Sequence, residues 1–149
     1  MVKQSGKLYS YSLVAVQFTL IGLLVINSSF KSANIFYLLI FCFGILLGLW
    51  AVFVMQKSKL RITPDVAKNA TLVREGPYKF IRHPMYSSVL LICLGMFLTN
   101  IYYLTVIFYG LLIFDLFLKI SYEEKLLKKY FSDYKIYEAK TKKLIPFVY

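Results

Sequence analysis

Residues 8–26 and 34–55 contain no charged side chain, and residues 84–118 contain only Asp115. About 20 consecutive apolar residues suffice to cross a hydrocarbon core roughly 30 Å thick. A backbone in hydrocarbon must satisfy its own N–H and C=O groups, and an isolated apolar segment does so only as a helix. These blocks therefore restrict the chain to an all-α integral membrane fold. At 59% apolar residues it also exceeds the roughly half expected of soluble domains.

The third block is too long for one membrane helix. A single helix over 84–118 would also carry the lysine-rich tail to the opposite side from the basic segment that precedes it. Thr99-Asn100 offers a break, and two tightly connected helices, 84–98 and 101–119, remove both problems. The first of them is short, roughly 20 Å at 1.5 Å per residue. The expected fold is one membrane domain over 1–149. It has about four transmembrane helices, at 8–26, 34–55, 84–98 and 101–119, the last two a tight hairpin. Segments 56–83 and 120–149 lie in the cytosol, with both termini inside. From Ser121 a surface helix is expected, with Leu126, Leu127, Tyr130, Tyr134 and Tyr137 as docking groups and Pro146 as its end. On the second span, Gly44 and Gly48 make a small-xxx-small pair suited to close helix approach.

A net charge of +11 raises the question of nucleic acid, and the positions of the charges answer it. In this topology Lys31 is the only one of the 18 basic residues outside the cytoplasmic side. That is the usual bias of Lys and Arg in membrane proteins. Anionic membrane lipids, rather than nucleic acid, are the expected partners. Cys42 and Cys93 both lie in apolar blocks and read as small hydrophobes. The first block lacks a convincing A-x-A cleavage site and is expected to stay.

The chemistry-bearing residues gather at two places. Tyr78, Arg82, His83 (the sole histidine) and Tyr86 precede or open one helix of the hairpin; Lys119, Glu123 and Glu124 follow the other. A hairpin brings these ends together. Aromatic faces, carboxylates and N–H donors suit a zwitterionic, adenosine-bearing molecule. Two plainer readings stay open: His83 beside Pro84 as a helix cap, and Arg82 and Lys119 as snorkelling side chains. Asp115 is a functional candidate inside the membrane, with a plain pairing to Lys119 one turn on as the alternative. There is no Gly-x-Gly-x-x-Gly after a strand-like run and no Walker motif. One histidine without nearby cysteines gives no zinc site, so no metal is expected. A Ser87-His83-Asp115 triad has no support from spacing.

Two blocks carry a resemblance. Ala70-Thr71-Leu72-Val73, Gly76-Pro77-Tyr78 and Arg82-His83-Pro84-Met85-Tyr86 form the first. Glu123-Glu124-x-x-Leu127, Tyr130-Phe131, Tyr134-x-x-Tyr137 and Ile145-Pro146 form the second. Together they resemble the isoprenylcysteine carboxyl methyltransferase family, which is related to membrane phospholipid methyltransferases. The resemblance implies S-adenosylmethionine as methyl donor and a lipophilic acceptor reaching the site from the bilayer. By carry-over, Ala70, Thr71, Leu72, Val73, Tyr78, His83, Pro84, Met85, Tyr86 and Glu123 would form the cofactor site. His83, Lys119 and Glu123 would be the catalytic set, and Lys119 would face the substrate. Lys119 stands where the family has an arginine, and lysine lacks the planar fork that grips a carboxylate with two bonds. Ser88 stands where many members have glycine, and the step from Phe131 to Tyr134 is one residue short.

The acceptor is open between an isoprenylcysteine-like carboxylate, a phospholipid amine and another small hydrophobic group. Two other readings compete. Membrane reductases that bind NADPH also carry Arg-His-Pro-x-Tyr, usually followed by x-Gly-Glu with Asn before the Tyr. Here Met85, Ser88 and Val89 occupy the Asn, Gly and Glu places. A non-enzymatic lipid-binding membrane protein would account for charge and topology but not for the paired blocks.

Overall fold

A computed structural model describes residues 4–29, 34–56 and 71–146. Ala70 and the basic positions Lys31, Lys57, Lys59, Arg61 and Lys68 lie outside the described residues. The chain is all-helical: α1 (Gln4–Asn27), α2 (Ile35–Met55), α3 (Pro84–Thr99), α4 (Tyr103–Tyr130) and α5 (Tyr134–Lys140), with a 3₁₀ turn at Gly76–Lys79 before α3. Among these, α1, α2 and α4 are long and apolar enough to cross a membrane. With 16 residues α3 is about 24 Å long and falls short of the hydrocarbon thickness.

Helix ends follow local chemistry. The Asn34 side chain accepts from Phe36 N at 3.1 Å and starts α2. Pro84 takes the first position of α3, where its missing N–H leaves no bond unmade. Thr105 Oγ1 accepts from Tyr102 N at 3.1 Å and fixes the tight turn into α4. Thr99-Asn100 does break the long apolar block, as the hairpin requires.

The expected division between a membrane helix ending at 119 and a surface helix from Ser121 is corrected. Residues 103–130 form one 28-residue helix, because no Gly or Pro interrupts 111–130. At 1.5 Å per residue it is about 42 Å long, so its last turns, from about Glu123 on, project past the hydrocarbon. Nor does Pro146 end it. The chain leaves α4 at Phe131, which is extended at φ −106° and ψ 115°.

The helices pack in two pairs. α2 lies along α3, where glycines allow close approach: a Cβ on Gly44 would lie 2.8 Å from Ile92 N, and one on Gly48 would collide with Ser88 Oγ. Ser88 Oγ donates to Gly44 O at 2.8 Å across this seam, so Ser88 is used in packing. α1 lies antiparallel to α4 through Ser10, Leu13, Gln17, Leu20 and Leu24, all buried at helical three- and four-residue steps. Leu20 and Leu24 join Cys93, Leu112 and Leu116 in the core that ties the pairs together. At one end Asn100 Nδ2 donates to Asn27 O at 2.9 Å; at the other Tyr9 stacks edge-on against Tyr122 at 5.4 Å. The outer face of α2, including Phe36, Leu39, Phe43, Leu46 and Phe53, is exposed, as a lipid-facing helix should be.

Beyond α5 the chain doubles back as an extended strap. Arg82 N donates to Lys142 O at 2.7 Å, His83 N to Lys143 O at 3.0 Å, and Lys142 N to Phe80 O at 3.1 Å. Ser87 Oγ adds a bond to Leu144 O at 2.6 Å. This strap fixes the backbone on which the sole histidine sits.

Candidate active site

Where α3 begins, the backbone at His83 is non-helical, at φ −124° and ψ 58°, and its side chain makes no capping bond. The cap reading is therefore not what the imidazole does. It is turned toward α4 instead, 4% exposed, with Nε2 3.2 Å from Glu124 Oε1 and Nδ1 3.6 Å from Glu123 Oε2. Arg82 is equally withdrawn from solvent and does not snorkel. Its Nε donates to the same Glu124 oxygen at 2.8 Å, and Nη1 donates to the carbonyls of Thr141 and Glu138. Glu124 is thus a buried knot joining the start of α3, the last turns of α4 and the strap.

Burial pushes the Glu124 carboxyl up, but hydrogen bonds from His83 and Arg82 outweigh it and hold the group at about 2. An ionised carboxylate can only accept, so Nε2 of His83 carries the proton. Glu123 is looser, 25% exposed, and accepts from Tyr86 Oη at 3.0 Å. The His83 and Tyr86 rings stack at 5.6 Å and 20°.

Arg82, His83, Tyr86 and Glu123 border a cavity of about 640 Å³. Its lining includes Tyr78, Arg82, His83, Tyr86 and Glu123, together with Val14 and Phe18 of α1 and Val52 and Met55 of α2. Since α1 packs on α4 and α2 on α3, these α1 and α2 residues flank a gap between the pairs. Gly48, Ser88, Lys119 and Gln17 also line it. Lys119, 3% exposed, donates to Gln17 Oε1 and lies 5.7 Å from the centre of the Tyr86 ring. Asp115 and Lys119 interact electrostatically across one turn, and Asp115 is buried with Oδ2 lacking a hydrogen-bond partner among the described residues.

The sequence-based set divides. Tyr78, His83, Met85, Tyr86, Lys119 and Glu123 line the cavity together. Thr71, Leu72, Val73 and Pro84 do not: Leu72 packs behind, with Leu127, Tyr134 and Tyr137, and Val73 with Ala51, Val54 and Tyr78. Ala70 lies outside the described residues. Gln17 and the other α1 residues had no place in the sequence reading. The available signal was a stripe at 10, 13, 17, 20 and 24 carrying Ser10 and Gln17 among apolar residues.

The wall suits an adenosine-bearing zwitterion. Tyr78 borders the cavity, yet its hydroxyl is buried without a partner among the described residues, which a bound polar molecule would supply. Burial, then Glu123, pushes that phenol well above its usual range, so it stays a donor. Tyr137 Oη donates to the backbone carbonyl of Tyr78 at 2.7 Å and fixes the backbone there. Upstream, Gly76 takes a left-handed φ of 56° with its α-carbon against Val54 and Trp50, leaving no room for a side chain.

No curated protein and no solved structure matches the chain at a significant level. One family pattern does, described as "Isoprenylcysteine carboxyl methyltransferase (ICMT) family", over residues 35–129. That match takes in α2, α3, nearly all of α4 and every cavity residue named above except those of α1. Covering more than half of the chain, it establishes that this protein belongs to the isoprenylcysteine carboxyl methyltransferase family, whose members are methyltransferases.

Proposed function

We propose that the chain transfers a methyl group from S-adenosylmethionine to a lipophilic acceptor with a carboxylate like that of an isoprenylcysteine, at the cytoplasmic face of the membrane. The supporting observation is one cavity with two kinds of lining: titratable and aromatic groups from α3, α4 and the turn before α3, and aliphatic groups from α1 and α2. A water-soluble donor and a chain-bearing acceptor need both kinds in one cavity. The bias of Lys and Arg supports a cytoplasmic position for the polar groups.

When bound, the donor supplies a methyl already activated by its sulfonium charge. The remaining work is alignment, which can supply much of the acceleration. Tyr78 and Tyr86 provide aromatic faces, Glu123 an acceptor for an ammonium or hydroxyl, and Arg82 a cation for a carboxylate. His83 keeps its Nε2 proton on Glu124, which orients the ring between the two carboxylates. A carboxylate acceptor is ionised at neutral pH and requires no base. The apolar side chains of α1 and α2 in the lining keep water from the attacking oxygen and strengthen the local electrostatics.

The test is cofactor titration of purified protein, followed by labelled-methyl transfer in membranes. Wild type should bind S-adenosylmethionine and not NADPH, and His83→Ala and Glu123→Ala should each lose cofactor binding. Unchanged binding in both variants, or NADPH binding in place of the methyl donor, refutes the reading.

A further inference from the structure

We infer that Gln17 of α1 and Lys119 of α4 together form the two-pronged donor that grips the acceptor's carboxylate. This inference rests on the methyl-transfer reading and concerns a residue outside the 35–129 family match.

Lys119 is 3% exposed and Gln17 8% exposed, and both line the cavity. The ammonium has three N–H donors and no acceptor. One is committed to Gln17 Oε1. That bond decides the orientation of the amide. Only its oxygen can face an ammonium, so its NH₂ is turned away from the ammonium, as a second set of donors beside the two remaining on Nζ. The pair is held by α1 packing against α4 through Leu20, Leu24, Leu112 and Leu116, and the Tyr86 ring face 5.7 Å from Nζ restrains the lysine.

The family's arginine offers two parallel donors in one rigid plane, and a lysine alone cannot. Here the missing prong comes from a neighbouring helix. Two adjacent donor groups fit the two oxygens of a carboxylate. The lining carboxylate Glu123, one helical turn beyond Lys119, already accepts from Tyr86 Oη at 3.0 Å and lies beside His83. In the transfer, a lone pair of the gripped oxygen forms the new C–O bond. The methyl–sulfur bond breaks, and its electron pair stays on sulfur. The products are a methyl ester and a neutral thioether, and no proton moves.

The experiment uses the full chain in phosphatidylcholine nanodiscs with two probes, S-farnesylthioacetic acid and its amine counterpart S-farnesylcysteamine. Cofactor binding and labelled-methyl transfer are both read. Wild type should methylate the acid in preference to the amine. Gln17→Leu should bind S-adenosylmethionine as wild type does but show KM for the acid raised roughly 10- to 100-fold, the loss of one hydrogen bond to a charged group. Adding Lys119→Arg to Gln17→Leu should bring KM back toward wild type, because the guanidinium supplies both prongs itself; a purely structural glutamine would not be rescued this way. Gln17→Met, closer in length, serves if Gln17→Leu fails to fold. The inference is overturned by an unchanged KM in Gln17→Leu, by no rescue from Lys119→Arg, by preference for the amine or by transfer to neither probe. Loss of cofactor binding in both Gln17 variants overturns it too. A wild type that does not bind S-adenosylmethionine instead defeats the methyl-transfer reading itself.

Discussion

Removing Glu124 should cost stability, whereas removing its neighbour Glu123 should cost binding. Glu124 accepts from Arg82 Nε at 2.8 Å and from His83 Nε2 at 3.2 Å, with the arginine side chain 6% exposed. Glu124→Ala deletes both bonds and leaves a guanidinium that is 6% exposed without its counter-charge. Breaking a buried pair in this way costs about 3–5 kcal/mol. For a chain of this size each kcal/mol moves Tm by about 2–4 °C, so the fall should be about 6–20 °C. Glu123 is 25% exposed and accepts from Tyr86; losing that one bond costs about 0.5–1.5 kcal/mol, or about 1–6 °C. Thermal unfolding of both variants in one detergent, with and without S-adenosylmethionine, separates the two roles. The ligand should still raise Tm in Glu124→Ala at temperatures where that variant is folded, and should not in Glu123→Ala. Equal melting temperatures for the two variants would refute the assignment of Glu124 as the structural knot.

The same knot predicts acid sensitivity. Glu124 is depressed from 4.5 to about 2 in the folded protein, so its contribution is fully present above about pH 4.5 and is lost as pH falls toward about 2. Wild-type Tm should drop across that window, and Glu124→Gln should show a flatter profile. The α2–α3 seam predicts a matched pair of glycine effects. Gly44→Leu forces atoms into space where even a Cβ would lie 2.8 Å from Ile92 N and should destabilise by about 1–3 kcal/mol. Gly22 has nothing within 4 Å of its Cβ position, so Gly22→Ala should be neutral or stabilising by up to about 1 kcal/mol. Equal Tm values for the two would mean that α2 and α3 do not pack as described.

What the sequence discloses depends on the range of the physics involved. The membrane segments are legible because hydrocarbon imposes a rule on every residue within a span, and a single charge breaks the pattern visibly. The hairpin is legible for a similar reason, since only one place near the middle of 84–118 offers polar residues for a turn. The continuity of α4 through residue 120 was not, because the change from lipid to water alters composition without altering backbone geometry. Lys119, Ile120 and Ser121 are helical on either side of that boundary.

The site was half legible for a deeper reason. His83, Glu123 and Glu124 stand near chain reversals, so sequence order alone brings their segments together. Which of two adjacent carboxylates faces the cavity is a matter of about 100° of helix rotation, set by how α4 rests on α1 and α3, and no local signal carries it. Gln17 is harder still. A single amide in an apolar helix has the same local appearance whether it faces lipid, a neighbouring helix or a cavity. Only the partner, 102 residues away in sequence, distinguishes these cases. Burying an ammonium beside hydrocarbon is costly unless its donors are used. Once Lys119 is known to be buried, some polar residue on the facing helix is required, and Gln17 is the residue on the buried stripe of α1 that can reach it. The lysine, which by itself looks like a weakened arginine, and the glutamine, which by itself looks incidental, become interpretable only as a pair.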